Sequence, residues 1–402
     1  MRKSADVVVV GSGGLGSASA HALARRGCEV TVLERHEIAS QTSPRAAGMV
    51  SYLRKSDLLI ELVRRASDRI CTFAEDTGEP LDWVRPGSLK VSRRPADTEV
   101  LEADLARGRA AGLDVELLSP AEAHALHTFL QPEGVDAALR VGEDMYFDPG
   151  QAAAAFARAA QAAGAVVLTH TDATRVVVED GAVRAVQTSA GTIETPVVVD
   201  AAGAWTRLIA AASGVDLPLV TTRQQLFVTD AVEGARPDLP LIRIMDAAVY
   251  FRPHAPGFLW GVYEEDPLFF DPDGIPHEVA ETPLDPDVLW RAADDVARQL
   301  PVLREARVRE HRGGLPTMTA DGGHILGPAP GVAGFHFASG CNVAGLSLSP
   351  ALGELLADWI VDGAPPIDLS PLTLARFGGL VPPDAELRRD AAWQYRHFYG
   401  AV

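Results

Sequence analysis

The sequence of 402 residues has few cysteines, no long apolar run and no excess of positive charge. Its three cysteines, Cys28, Cys71 and Cys341, are widely spaced and form no CxxC pair, which indicates a reducing compartment rather than a disulfide framework. Every apolar run is short and is interrupted by Gly, Arg or Asp, so no segment is expected to span a membrane. Four valines follow Met1-Arg2-Lys3, but they lead into a glycine loop, and we interpret them as a buried strand rather than a signal peptide. These absences predict a cytoplasmic protein.

The charge balance argues against two classes of binding partner, and the histidine spacing argues against a metal site. The 54 acidic residues outnumber the 36 basic residues, which gives a formal net charge of -18. Neither a nucleic acid nor an anionic membrane surface is therefore expected as a partner. His311, His324 and His336 lack ligand spacing with cysteines or carboxylates, and no metal site is predicted. The chain is too long for one compact core, so we expect two or three domains.

A glycine-rich loop between a strand and a helix is the most informative local motif. The apolar strand Val7–Val10 leads into the sequence Gly11-Ser12-Gly13-Gly14-Leu15-Gly16. In such a loop the first glycine permits a tight turn, the second lets the backbone approach a pyrophosphate, and the last allows the helix to pack closely on the strand. Glu34 ends the second strand, where its carboxylate would accept hydrogen bonds from ribose hydroxyls and repel the 2′-phosphate of NADP. The spacing predicts a dinucleotide site, and a glycine-rich turn with an incidental surface glutamate is the alternative.

Six more segments follow this fingerprint along the chain. They are Ser43-Pro44-Arg45-Ala46-Ala47-Gly48-Met49, Tyr146-Phe147-Asp148-Pro149, Val198-Val199-Asp200-Ala201-Ala202-Gly203-Ala204-Trp205, Tyr250-Phe251-Arg252-Pro253, Pro316-Thr317-Met318-Thr319-Ala320-Asp321-Gly322 and Ala338-Ser339-Gly340-Cys341-Asn342-Val343-Ala344-Gly345. With these segments in this order, the chain resembles the D-amino-acid oxidase superfamily of FAD-dependent oxidoreductases. Within that superfamily it is most similar to the sarcosine and dimethylglycine dehydrogenase-like group.

The resemblance implies FAD as the cofactor and a set of residues that bind it. Val176 is expected to offer its backbone to the adenine, and residues 340–345 to bring a helix N-terminus to the pyrimidine edge of the flavin. The positive end of a helix there would stabilise the negative charge of the reduced ring. The implied FAD-binding residues are Gly11, Ser12, Gly13, Gly14, Leu15, Gly16, Glu34, Arg35, Ser43, Arg45, Ala46, Ala47, Gly48, Met49, Val176, Ala202, Gly203, Trp205, Gly340, Asn342, Val343, Ala344 and Gly345.

Three departures from the family pattern change what the resemblance implies. Some relatives attach FAD through a His where this chain has Arg45, and others through a Cys where it has Gly314. The resemblance therefore implies non-covalent FAD, and it leaves Arg45 as a fixed positive charge near the flavin or as a phosphate partner. A Lys that activates oxygen in some relatives aligns with Leu259, which puts rapid reaction with oxygen in question. Long members carry a folate-binding region beyond the position of Pro371, for which this sequence has no room, so no folate is expected.

The order of the elements is discontinuous. After Glu34 the chain leaves the strand–helix–strand unit, and the pattern resumes only at Asp148-Pro149. This predicts an α/β flavoprotein of two domains, in which a substrate domain on a mainly antiparallel sheet is threaded through a Rossmann-like FAD domain. We assign residues 1–80, 145–218 and 315–370 to the FAD-binding domain, 81–144 and 219–314 to the substrate domain, and 371–402 to a C-terminal extension. The last helix is expected at about 342–361.

The substrate site departs from the relatives as well. The Arg that binds the substrate carboxylate in glycine and D-amino-acid oxidases falls at Pro316, and a second one falls at Val343. Tyr250 matches a substrate-site Tyr of the glycine-oxidase relatives, and Arg252 would share its strand face. We therefore predict Tyr250 and Arg252 as the catalytic residues, with a surface arginine as the alternative for Arg252. Further candidates for the pocket are Tyr263, His254, His324 and Trp260, and for each of them structural packing or surface exposure is the favoured alternative.

These observations leave three functions open. The first is oxidation of the C–N bond of a secondary or N-methyl amine, expected to be an amino acid, by hydride transfer to flavin N5, with oxygen or another electron acceptor as the second partner. The second is oxidation of a 2-hydroxy acid on the same fold. The third is a flavin-binding subunit that passes electrons within a heteromeric dehydrogenase.

Overall fold

The fold combines α-helices with two large sheets. Within residues 3–400, which the computed structural model describes, the ten α-helices are α1 (Gly14–Arg25), α2 (Asp57–Thr77), α3 (Pro95–Ala110), α4 (Pro120–Leu126), α5 (Pro149–Ala162), α6 (Thr206–Ala212), α7 (Pro286–Asp295), α8 (Val302–Glu305), α9 (Gly345–Asp362) and α10 (Asp384–Arg396).

The first sheet has six strands. In spatial order they are β22 (Ile325–Pro328), β23 (Phe335–Ser339), β13 (Val197–Asp200), β1 (Val7–Val10), β2 (Val30–Leu33) and β9 (Val166–Leu168). All neighbouring strands are parallel except β22, which is antiparallel to β23. The valines of β1 alternate between two apolar cores, with Val7 and Val9 in the core beneath α1, α5 and α9. Val8 and Val10 lie in the core on the opposite face. Burial on both faces explains why this strand is an uninterrupted apolar run.

The second sheet has eight strands and is antiparallel except for the parallel pair β5–β16. Its strands, in spatial order, are β20 (Val308–Gly314), β15 (Gln224–Thr229), β18 (Gly257–Val262), β17 (Val249–His254), β16 (Leu241–Ile244), β5 (Ser88–Ser92), β7 (Ala137–Val141) and β6 (Val115–Leu118). It unites two stretches of chain that are far apart in the sequence. The expected α/β fold with a mainly antiparallel second sheet is confirmed, and the exact domain boundaries stay a prediction.

Three small sheets complete the fold. They are β10 (Ala173–Glu179), β11 (Ala182–Thr188) and β12 (Gly191–Glu194); β19 (Phe269–Phe270), β14 (Leu219–Thr222) and β21 (Thr317–Thr319); and β3 (Met49–Val50), β8 (Met145–Phe147) and β4 (Trp83–Val84).

Local sequence signals explain several of these boundaries. The Asp148 side chain accepts a hydrogen bond of 2.8 Å from the Gln151 amide, and Pro149 occupies the first position of α5. Asp180 and Gly181 both have positive φ, at 51° and 73°, and join β10 to β11 as the predicted hairpin turn.

The expectation for the last helix is wrong in two respects. Helix α9 begins at Gly345 rather than at 342, because Asn342 and Val343 have left-handed φ values of 42° and 55° that an α-helix does not contain. It is also followed by α10, within the C-terminal extension. The buried residues of α10 include Leu387, Ala391 and Tyr395, spaced four apart, a stripe narrow enough to be overlooked in a polar helix.

The described residues bear on two expectations, those of a membrane span and of a metal site. No helix within residues 3–400 has both the length and the apolar character needed to cross a membrane. Over the same residues, no group of three or more His, Cys, Asp or Glu side chains is placed to hold a metal ion.

Candidate functional site

A cleft lies between the two large sheets. Its volume is about 360 Å³, and that of a separate cavity beside α1 and α2 is about 40 Å³. Its walls include residues at the carboxyl ends of β1, β2, β13 and β23 and side chains of β15, β16 and β17. The carboxyl ends of parallel strands are where ligands bind in open α/β sheets.

Gly11 and Gly16 of the glycine loop have no room for a side chain. Gly11 has a φ of 98°, and a Cβ on it would lie 2.6 Å from the Ala201 carbonyl oxygen. A Cβ on Gly16 would lie 2.0 Å from the Gly11 carbonyl oxygen, so this glycine lets α1 approach β1. The Gly14 amide donates to Ser43 Oγ at 2.9 Å, which ties the loop to the segment that follows β2. The backbone of the loop therefore faces the cleft directly.

One end of the cleft, which we call the nucleotide end, is formed by Glu34, Arg35, His36, Asp172 and Trp205. Glu34 Oε2 accepts hydrogen bonds from the Ser12 amide at 2.9 Å and the Ser12 hydroxyl at 2.7 Å, and Oε1 accepts from the His36 amide at 2.9 Å. Because a carboxylate has about four acceptor positions, one remains for a ribose hydroxyl.

The positive charge at the nucleotide end is also paired. The Arg35 guanidinium lies 4.4 Å from the centroid of Trp205, and its Nε is 3.5 Å from the Asp172 carboxylate. This end is acidic and aromatic, in accord with an adenosine rather than a 2′-phosphate.

The middle of the cleft is formed by residues 43–49. Gly48 has a φ of 67°, and a Cβ on it would lie 2.2 Å from the Phe147 carbonyl oxygen. The Arg45 side chain lines the cleft, and its Nε is buried without a hydrogen-bond partner among the described residues. An unpartnered guanidinium in the wall of a cleft fits an anionic group such as a phosphate or a reduced flavin.

Most of the predicted cofactor residues line this cleft. They are Gly11, Gly13, Gly14, Leu15, Glu34, Arg35, Ser43, Arg45, Ala46, Ala47, Gly48, Met49, Ala202, Gly203, Trp205, Val343, Ala344 and Gly345.

Five predicted cofactor residues lie outside the lining and have other contacts. Ser12 holds Glu34, and Gly16 packs α1 on β1. The Asn342 side chain accepts from the Thr319 amide at 3.0 Å and donates to the Gly340 carbonyl at 2.7 Å, so both residues shape the entry to α9.

The expectation for Val176 is corrected. Its amide donates to Ser213 Oγ at 2.8 Å, and its side chain belongs to an apolar core. Residues 171–174, which precede it, line the cleft instead.

The other end of the cleft, which we call the tyrosine end, is formed by Arg54, Arg243, Tyr250, Tyr263 and Tyr399. The ring centroid of Tyr263 lies 5.7 Å from that of Tyr250 and 5.3 Å from that of Tyr399. Burial raises the pKa of Tyr250 and Tyr263, and it raises the pKa of Tyr399 to about 12. The three phenols are therefore neutral at physiological pH.

The two arginines of the tyrosine end have only one carboxylate between them. Arg243 Nη1 donates to Asp144 Oδ2 at 2.8 Å, whereas Arg243 Nη2 is buried without a partner among residues 3–400. Arg54 Nε donates to the Ser51 carbonyl at 2.9 Å. Burial, and next the neighbouring Arg243, lower the pKa of Arg54. Two cations and one anion leave an excess of one positive charge at this end.

The structure places Arg252 outside the lining of the cleft, although its Nη2 is buried without a partner among residues 3–400, and its contact with a substrate carboxylate stays a prediction. The side chain does not line the cleft; its Nε donates to the Ala47 carbonyl and its Nη1 to the Pro253 carbonyl, both at 2.6 Å. Its guanidinium lies 4.7 Å from the centroid of Tyr146. Strand alternation does place it beside Tyr250, but Ala47 covers it from the cleft side. Arg252 thus positions the segment that forms the middle of the cleft.

Three residues of the tyrosine end were missed from the sequence, namely Arg54, Arg243 and Tyr399. Arg243 carried a usable signal, because a charged residue in the four-residue apolar strand β16 is costly to bury without a function. Of the additional pocket candidates, Tyr263 lines the cleft, whereas His254, His324 and Trp260 do not.

Comparison with known proteins agrees with this site. The family model described as FAD dependent oxidoreductase matches residues 6–359, and the chain belongs to this family. Mitochondrial sarcosine dehydrogenase of Homo sapiens is 32% identical over 382 residues, which cover 93% of this chain and 41% of that protein. The chain thus spans about two fifths of the length of that relative. Glycine oxidase of Geobacillus kaustophilus is 28% identical over 386 residues, which cover 94% of this chain and 98% of that protein.

A solved structure shares the fold. L-proline dehydrogenase from P. horikoshii superposes with a TM-score of 0.85 at 22% sequence identity, covering 95% of this chain and 100% of that chain. FAD is the cofactor of the family, and the glycine loop, the free acceptor position of Glu34 and the unpartnered Arg45 all fit it.

Proposed function

We propose that the protein oxidises the C–N bond of an amino acid that carries a secondary or N-methyl amine. The observation that carries this proposal is the excess positive charge of Arg54 and Arg243 at the tyrosine end, with Arg243 Nη2 buried and unpartnered. One substrate carboxylate would balance that charge, and a guanidinium fork is well suited to bind it. Relatives named for sarcosine and for glycine support an amino-acid substrate.

The neutral tyrosines favour an amine over a 2-hydroxy acid. Bound FAD supplies the acceptor for the hydride and its two electrons. An amine that arrives neutral needs no base, whereas a hydroxy acid must lose its hydroxyl proton. Among the described residues, the acidic and histidine side chains that line the cleft are Glu34, His36 and Asp172, all at the nucleotide end. The phenols of Tyr250, Tyr263 and Tyr399 can orient a neutral amine, but burial keeps their pKa too high for them to act as bases.

An anaerobic substrate screen tests the proposal. Sarcosine and L-proline are each compared with the amine that lacks the carboxylate, dimethylamine and pyrrolidine, and glycolate serves as the hydroxy acid. We expect the flavin absorbance to bleach only with the amino acids. Bleaching by glycolate would favour the 2-hydroxy acid function, and equal bleaching by the amines would remove the carboxylate site. No bleaching by any of the five compounds would favour a flavin-binding subunit.

The variant Arg54→Met tests the carboxylate contact. We expect substrate affinity to fall by about 2–5 kcal/mol, because the carboxylate loses a charged partner in a desolvated site. Arg298→Met, which removes an exposed arginine of another face, is the matched control. Similar affinities in the two variants would contradict the proposal.

We also propose that FAD is held without a covalent bond, because Arg45 and Gly314 stand where some relatives have attachment residues. Acid precipitation should leave the yellow colour in the supernatant. Colour that stays in the washed pellet would overturn this assignment.

A further inference from the structure

A loop rich in proline and aspartate, residues 271–282, follows β19, and both of its flanks are bonded to one buried residue. The Arg223 amide donates to the Leu268 carbonyl at 2.9 Å, before the loop, and Arg223 Nη1 donates to the Pro283 carbonyl at 2.8 Å, after it. A buried ion pair of 2.7 Å with Glu264 fixes Arg223 in turn. The two ends of the loop therefore lie close together, as they do in a compact Ω-loop.

The middle of the 271–282 loop lies against the wall of the cleft. Val279 is buried in an apolar cluster with Ala204 and Leu315, both of which line the cleft. Trp205, which belongs to the nucleotide end, packs against the same cluster. The Val279 amide donates to the side chain of Gln41, another lining residue, with 2.8 Å between the amide nitrogen and Oε1. The loop thus contacts the nucleotide end through both apolar and polar groups.

The part of the wall that these contacts hold is residues 35–42, most of which line the cleft. This segment contains no helix or strand, and Ala39 within it has a φ of 52°, which is uncommon for a residue other than glycine. His36 Nε2 lies 3.0 Å from the His277 carbonyl oxygen, so the ring nitrogen is the donor, and the centroids of the two rings are 4.8 Å apart. The position of this wall therefore depends on the 271–282 loop.

We infer that the 271–282 loop retains FAD in the cleft. The glycine loop and Glu34 would hold the adenosine half of FAD at the nucleotide end, and FAD would leave when the 271–282 loop releases Gln41 and His36. Within the loop only Val279 and Thr282 are buried, so it can open without unfolding of the two large sheets. The inference concerns the cofactor and does not depend on which substrate is oxidised.

The variant Val279→Pro tests the contact with Gln41, because it removes the amide donor and keeps an apolar side chain. Val279 is the first residue of a 3-10 turn, and Glu278 before it has extended backbone angles of -114° and 138°, so both positions are compatible with proline. We expect the rate of FAD dissociation to rise about 3- to 10-fold. The FAD-loaded full chain is diluted, and the flavin fluorescence of the released cofactor is followed with time.

A matched pair of variants distinguishes retention from general stability. Val279→Ala and Val296→Ala each shorten a fully buried valine, but Val296 lies in an apolar core of the antiparallel sheet, away from the cleft lining. FAD dissociation should be faster in Val279→Ala and equal to that of the parent in Val296→Ala. Equally fast dissociation in the two variants would overturn the inference, because loss of stability alone would then explain it.

A double-mutant cycle with Gln41→Ala identifies the partner through which the loop acts. In the Gln41→Ala background, Val279→Pro should have little further effect on FAD dissociation, because the acceptor of its amide is already gone. Additive effects, or an unchanged rate in Val279→Pro alone, would overturn the inference. Failure of the parent and of every variant to release FAD would overturn it as well, since a covalent bond would then retain the cofactor.

Discussion

The two ends of the cleft differ in how far their charges are already paired. At the nucleotide end Glu34 accepts three hydrogen bonds, and Arg35 lies between Trp205 and Asp172. At the tyrosine end Arg243 has a buried nitrogen without a partner, and no carboxylate within residues 3–400 pairs with Arg54. A buried unpaired cation is costly, whereas a paired one is already stable. The nucleotide end is thus prepared before its ligand binds, and the tyrosine end is completed by an anion.

Arg243→Met is expected to have the largest effect. It removes the unpartnered Nη2 that would bind the substrate carboxylate, and it breaks the ion pair with Asp144. The substitution removes a carboxylate partner and leaves the buried Asp144 without its cation. Substrate affinity should fall by about 2–5 kcal/mol, and the free energy of unfolding by about 3–5 kcal/mol. Anaerobic flavin titration measures the first quantity and urea denaturation the second.

The double variant Arg243→Met/Asp144→Asn separates these two effects. An amide at position 144 can still accept from the Tyr52 amide and donate to the Ser88 hydroxyl, and it carries no charge. Stability should recover while substrate affinity stays low. Recovery of affinity together with stability would mean that Arg243 acts only as a structural residue.

Glu34→Ala probes the prepared end of the cleft. It removes an acceptor from the Ser12 and His36 amides and from the ribose, and FAD affinity should fall by about 1–3 kcal/mol. Substrate affinity of the FAD-saturated variant should equal that of the parent. Reconstitution titrations measure the FAD affinity, with the exposed Glu37→Ala as control. A change confined to substrate binding would contradict the division between the two ends.

Arg252→Met tests the middle of the cleft, between the two ends. Loss of the hydrogen bonds to the Ala47 and Pro253 carbonyls should lower the free energy of unfolding by about 1–3 kcal/mol. The dissociation constant of acetate, used as a minimal carboxylate ligand, should change far less in the FAD-loaded variant than in Arg54→Met. Equal losses of acetate binding in the two variants would identify Arg252 as a carboxylate ligand.

The smallest expected effect, counted per pH unit, is the pH dependence of the rate of flavin reduction. Only the neutral amine can react, so the limiting rate should rise about tenfold per pH unit, or 1.4 kcal/mol, and then reach a plateau. The phenols do not interfere, because burial places the pKa of Tyr399 at about 12 and raises the pKa of Tyr250 and Tyr263. Stopped-flow measurements from pH 6 to 10 check this. A second ionisation that lowers the rate within this range would contradict the expectation that the three phenols keep their protons and do not affect the rate.

Local motifs account for what could be predicted from the sequence. The loop Gly11–Gly16, the Asp148 cap and the Asp180-Gly181 turn each depend on a few neighbouring residues, and all three are found as expected. The tyrosine end is different, because Arg54, Arg243 and Tyr399 come from three distant parts of the chain. Tertiary contacts bring them together, because Asp144 binds both the Tyr52 amide and Arg243, and the residues of α10 and Tyr399 pack in one cluster with Tyr250 and Tyr263.

The position of Arg252 outside the lining of the cleft has a specific physical cause. Alternation along β17 predicts which face a side chain occupies, and in this respect Tyr250 and Arg252 agree with expectation. It does not predict which remote segment covers that face. Ala47, far away in the sequence, covers Arg252 and leaves Tyr250 open to the cleft.

The central position of β1 has a consequence for biosynthesis. Val7 pairs with Val30 on one side and with Val197 on the other, and Val198 pairs with Phe335 in turn. At about 5–20 residues per second, the ribosome needs on the order of ten seconds or more to deliver the second neighbour of β1. During that interval four consecutive valines present an open strand edge, which is a template for aggregation. Added chaperone that covers this edge should therefore raise the yield of soluble protein more than any change at the cleft.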